Sequence, residues 1–74
     1  MRRFHVKYTV VLTRDEDGGL DVAVPALLGC RTWGRTKREA LANASEAIQA
    51  YVESLLKDGA PIPHEVESSV VEVP

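Results

Sequence analysis

Seventy-four residues make one small domain with a marginal core, because a chain of this size buries only about 60% of the surface it exposes when unfolded. The chain is 45% hydrophobic and 27% charged, an ordinary globular balance, and a net charge of −2 argues against a dedicated nucleic-acid binder. A lone cysteine, Cys30, excludes an internal disulfide, and His5 and His64 lack the Cys pair of a zinc site, so self-association is the expected reinforcement.

The chain opens with strict alternation. Phe4, Val6, Tyr8, Val10 and Leu12 share one parity and His5, Lys7, Thr9 and Thr13 the other, which predicts a half-buried strand from Phe4 to Thr13. Asp15-Glu16-Asp17-Gly18-Gly19 supplies turn chemistry, and Leu20, Val22 and Val24 resume the alternation, so the two runs form an antiparallel hairpin. Pro25 cannot donate to a ladder and ends the second strand. The apolar loop Pro25-Ala26-Leu27-Leu28-Gly29 is expected to fold its leucines back under the sheet. A short third strand, Cys30 to Gly34, places Cys30 and Thr32 on one side and Arg31 and Trp33 on the other.

Thr36-Lys37-Arg38-Glu39 matches a capping box: the Thr hydroxyl accepts from the third amide and the Glu carboxylate returns the bond. Leu41, Ala44, Ile48, Tyr51 and Leu55 then recur at helical spacing, broadened by Ala40, Ala47 and Val52. With Gly59 placed to terminate it and Pro61 and Pro63 beyond, the helix runs from Lys37 to Asp58. Glu65 to Val73 is rich in valine and reads as a fourth strand, with a parity break at Val70-Val71 that suggests a bulge.

The predicted fold is α+β, β-β-β-α-β, in one domain over residues 1–74. A right-handed crossover puts the four strands of the mixed sheet in the order 3-2-1-4, with the helix on one face. The other face carries His5, Lys7, Thr9, Val11, Ala23 and Trp33, and is the candidate surface for a homo-oligomer, a dimer or tetramer. Neither a secretory segment nor an apolar run of membrane-spanning length is present, so the chain reads as soluble and cytoplasmic.

Several motifs occur together along almost the whole chain. Tyr8-Thr9-Val10-Val11-Leu12 and the acidic glycine turn are followed by Val24-Pro25-Ala26-Leu27-Leu28-Gly29-Cys30. Then come Thr32, Gly34, Thr36, Glu39-Ala40, Asn43-Ala44, Ala47 and Asp58-Gly59-Ala60-Pro61-Ile62-Pro63. This combination resembles the HicB-like antitoxin family, whose loop usually reads Pro-Asp-Leu-Pro-Gly where Ala26 and Leu28 stand here. The resemblance implies a partial ribonuclease-H-like fold and a non-enzymatic protein that neutralises a HicA-type ribonuclease toxin by covering its active site. Many members carry a DNA-binding tail; because this chain stops at Pro74, directly after the expected last strand, a stand-alone domain without that tail is expected, and direct DNA binding is not. The alternatives are an orphan homo-oligomeric domain that binds another protein or ligand, and a nucleic-acid binder that uses Arg31, Arg35, Lys37 and Arg38.

No residue set supports catalysis, a cofactor or a metal. The first strand lacks carboxylates, so two-metal nuclease chemistry has no scaffold. Glu39, Glu46 and Glu53 share the helix face opposite the apolar stripe, where Glu53 can pair with Lys57. Cys30 reads as a structural thiol, although its position near the helix start would also allow a reactive one. Trp33, Arg31, Arg35, Lys7 and Val11 are the candidate partner or oligomer contacts, because exposed Trp and Arg dominate interface energetics. Asp15, Glu16 and Asp17 are the candidates for facing a basic toxin.

Overall fold

The computed structural model describes residues 6–67 and 69–73. Three strands, β1 (Val11–Arg14), β2 (Leu20–Ala23) and β3 (Arg31–Gly34), precede one helix, α1 (Lys37–Lys57). The strands form an antiparallel sheet in the order β1-β2-β3, with Val11 opposite Ala23 and Leu20 opposite Gly34. The helix lies across β3 and β2 on one face.

The alternation of the hairpin translates into burial. Leu20 and Val22 pack with Ala40 and Ala44, and Val10 and Leu12 close over them. A second cluster, Val24, Leu27 and Cys30, packs against Tyr8, Val10, Ala47, Ile48 and Tyr51. At the helix start the Thr36 hydroxyl accepts from the Glu39 amide at 3.1 Å, as the capping box predicts. The return bond lands one residue earlier than expected, with the Arg35 amide donating to Glu39 Oε1 at 3.0 Å. At the other end Asp58 is the cap and Gly59 takes φ +68°. The Gly59 amide donates to the Leu56 carbonyl and the Ala60 amide to that of Leu55, the paired bonds of a Schellman motif.

Four expectations need correction. The first strand starts at Val11 rather than Phe4, because β2 ends at Ala23 and Pro25 has no amide with which to extend the ladder; Phe4 and His5 lie outside the described residues. Only Leu27 folds under the sheet, whereas Leu28 is 90% exposed, because the loop turns sharply at Gly29 (φ +79°) and Tyr51 Oη donates to the Leu28 carbonyl. The buried helix stripe runs through Ala40 rather than Leu41. Gly34 lies so close to the helix that a Cβ on it would stand 2.3 Å from the Ala40 amide nitrogen, and only a small residue fits opposite. Among the described residues of 65–73 there is no strand. Instead the Glu65 carboxylate accepts from both the Thr9 amide and the Thr9 hydroxyl, and Tyr8 Oη donates to the Pro63 carbonyl at 2.6 Å. Side-chain bonds, not a backbone ladder, hold the returning chain beside residues 8 and 9. Ser68, within the expected fourth strand, lies outside the described residues.

Candidate functional site

The hairpin turn is built on Asp15. Its amide donates to the Gly19 carbonyl at 2.8 Å, its carbonyl accepts from Gly18, and its Oδ1 accepts from the Asp17 amide at 3.2 Å, an Asx turn. Gly18 takes φ +92°, the backbone that only glycine adopts without strain. The neighbouring glycine is needed for a different reason. A Cβ on Gly19 would lie 2.3 Å from Cζ2 of Trp33, so the indole rests directly on the Gly19 backbone. Trp33 Nε1 then donates to the remaining Asp15 oxygen, Oδ2, at 3.3 Å. Asp15 therefore ties the turn and the tryptophan together.

Opposed residues of neighbouring strands share a face, so the side away from the helix carries two rows. One is Val11, Ala23 and Arg31; the other is Thr13, Asp21 and Trp33. At the turn end of the second row, Asp17, Gly18, Gly19, Trp33 and Arg35 line an open cleft of about 410 Å³. Of the residues singled out from sequence, the fold brings Trp33, Asp17 and Arg35 together there, with Asp15 bonded to the Trp33 indole. Glu16 is exposed on the same turn. Arg31 and Val11 sit in the other row, and Lys7 precedes the sheet and is exposed. Asp21 is an addition. Its place beside Trp33 follows from counting register back from the glycine turn.

The remaining candidates separate cleanly. Cys30 is buried, and desolvation raises its thiol pKa above the ordinary value, which disfavours the reactive thiolate. Glu39, Glu46 and Glu53 are all exposed, and Glu53 accepts from Gln49 one turn earlier. Lys37, Arg38 and His64 are exposed as well. Among the described residues no group of three His, Cys, Asp or Glu side chains could hold a metal ion, and no helix is long and apolar enough to cross a membrane. What the site offers is a fixed aromatic ring, 39% exposed, edged by carboxylates on the turn and on β2 and by Arg35. Stacking and charge are the interactions this surface has to offer.

Residues 8–73 match the model of a family described as the HicB-like antitoxin of the bacterial toxin–antitoxin system. A UPF0150 protein of Thermoplasma acidophilum is 58% identical over 60 residues, which cover 81% of this chain and 87% of that one. A UPF0150 protein of Synechocystis is 45% identical over 58 residues, 78% of this chain and 73% of its own length. An uncharacterised 14.9 kDa protein of Haemophilus phage HP1 is 38% identical over 76% of this chain, which spans 41% of the phage protein.

Proposed function

The chain belongs to the HicB-like antitoxin family, and from that premise we propose that it is a cytoplasmic binding protein that neutralises a HicA-type ribonuclease toxin by covering its active site. The observation that carries this reading is the Trp33 surface. The indole is held against Gly19 and bonded to Asp15 before any partner arrives, so little side-chain freedom is lost on docking. Trp and Arg side chains dominate interface energetics, and Trp33 and Arg35 line one cleft. Asp15, Glu16, Asp17 and Asp21 add the charge that would steer a basic toxin into place. The partial ribonuclease-H-like architecture and the strand order 3-2-1-4 are part of the same reading. Support for them comes from the antiparallel β1-β2-β3 order and from the return of the chain beside Thr9 through Glu65.

The test is to mix the protein with a HicA-type toxin from the same genome, follow binding by calorimetry, and follow RNA cleavage. The expected result is a stable complex without cleavage, with Trp33→Ala weakening binding by about tenfold or more. Asp17→Lys should mainly slow association, and more so at low salt. A toxin that neither binds nor loses activity overturns this reading and leaves the orphan domain, which binds another protein. Binding of RNA that falls steeply with salt, and is lost on replacing Arg31, Arg35, Lys37 and Arg38, would favour the nucleic-acid binder.

A further inference from the structure

The Trp33 cleft is selective about the kind of group it can accept. The indole edge that bears Nε1, Cε2 and Cζ2 lies against Gly19, and Nε1 already donates to Asp15 Oδ2 at 3.3 Å. The ring's only polar group is therefore used inside the chain, and what remains for a ligand is π-surface. The face of an aromatic ring is electronegative, and tryptophan holds cations best. A carboxylate that accepts from the indole N–H pushes further electron density into the ring. The formal charges around it are unequal. Asp15 on its N–H, Asp17 in the cleft wall, Glu16 on the same turn and Asp21 opposite it on β2 stand against Arg35. The Arg14 guanidinium reaches the Gly18 carbonyl at 3.4 Å and does not line the cleft.

We infer that the group seated on Trp33 is an arginine side chain of the toxin, its guanidinium stacked on the indole in the field of Asp15, Asp17 and Asp21. This rests on the toxin reading and adds to it the residue type that the partner must supply. Arginine fits better than lysine because a guanidinium is planar and weakly hydrated, so it can lie flat on the ring with its N–H groups turned outward. An ammonium has to shed tightly held water to come as close. A nucleotide base could stack on the same ring, but its phosphate would enter a field set by four carboxylates with Arg35 as the counter-charge in the cleft. Arg35 is then no anion clamp for this ligand. It is the cleft's own cation and competes with the incoming one.

N-acetyl-arginine amide, titrated into the full chain, tests the assignment through Trp33 emission and the amide resonances of Gly18 and Gly19. Saturable binding is expected with a Kd on the order of 10 mM, because one open contact without an anchoring segment is weak. N-acetyl-citrulline amide, similar in shape but uncharged, and N-acetyl-lysine amide should each bind about threefold more weakly or worse. Arg35→Ala should tighten the arginine probe by about twofold. Trp33→Leu should abolish binding and Trp33→Phe should keep part of it, each checked by circular dichroism for folding and read through the two glycine amides. No saturable response, citrulline binding as well as arginine, or loss of the probe in Arg35→Ala would each overturn the assignment. So would tight binding of guanosine monophosphate that Arg35→Ala removes, which would make the cleft a nucleotide site. The toxin reading is tested apart from this. Double-mutant cycles between Trp33→Leu and single arginine-to-glutamine variants of a HicA-type toxin should find one arginine coupled to Trp33. A toxin that binds with no arginine coupled overturns the stacking and leaves the toxin reading standing. A chain that binds the probe as expected but no toxin keeps the arginine site and removes the toxin from it.

Discussion

At the β3 edge the outward carbonyl of Trp33 is taken by Asn43 Nδ2 at 2.7 Å, and the helix approaches so closely that Gly34 has no room for a Cβ. At the β1 edge no helix lies alongside, and the outward groups of Leu12 and Arg14 have no partner among the described residues. The two strands are equally short and flank the same central strand, so length and position do not explain the contrast. Chain connectivity does: β3 leads directly into α1, and the helix that starts there folds back over the strand it has just left. β1 is followed by the hairpin turn, so no helix is delivered to its edge in the same way.

Substitutions can break this contrast, beginning with the largest expected effect. Gly34→Val forces a branched side chain into the Ala40 backbone and should destabilise the domain by about 3 kcal/mol, read as a lower urea midpoint with the slope unchanged. Gly19→Ala drives the indole off the turn that joins β1 and β2. Because Trp33 is partly exposed and can swing outward, the loss should be about 1–2 kcal/mol. The chain's only tryptophan reports the change directly, as a red-shifted emission. Asn43→Ala should cost about 1 kcal/mol while leaving the Trp33 carbonyl free. Urea denaturation should read this loss as a lower midpoint with the slope unchanged.

The smallest effect concerns Cys30, which leads into β3. Its thiol pKa is raised by burial in the folded state, so the neutral form is favoured there. Below the unfolded-state pKa both states are protonated and the contribution is fully present. As pH rises from there through the folded value, the unfolded chain loses its proton first and stability falls. Thermal unfolding followed upward from neutral pH should show a modest decline that Cys30→Ala does not share. Thiol-reagent kinetics should likewise be slow on the native protein and fast in denaturant.

The hairpin, the third strand, the helix and both of its ends were legible in sequence because each is written in neighbouring residues: alternation, turn glycines, a capping box and a Schellman glycine. Positions fixed by contacts between elements were not. Leu41 and Ala40 are equally apolar in a helical pattern, and only the close approach of Gly34 decides which one turns inward. Leu27 and Leu28 are identical residues, separated by the turn at Gly29 and by the reach of Tyr51 from the helix. Gly19 looks like a second turn glycine until Trp33 is seen lying on it. The candidate site was legible as residue types, Trp33, Asp15, Asp17 and Arg35, but Asp21 joined them only through strand register. Glu65 stood in an expected strand, yet its side chain rather than its backbone makes the bonds to Thr9.

The contact between Gly34 and Ala40 also bears on the order in which the molecule assembles. It joins residues only a few positions apart, across a connection whose start is set by the Thr36 cap, so little loop entropy is lost in forming it. The Glu65–Thr9 contact joins the two ends of the chain and requires the closure of nearly its whole length. Substitutions at Gly34 or Thr36 should therefore slow folding, with φ-values near 1, whereas those at Thr9 or Glu65 should leave the folding rate alone and speed unfolding. That pattern of rates would make the corner between β3 and α1 the place where the chain commits to its fold, with the Glu65–Thr9 contact formed afterwards.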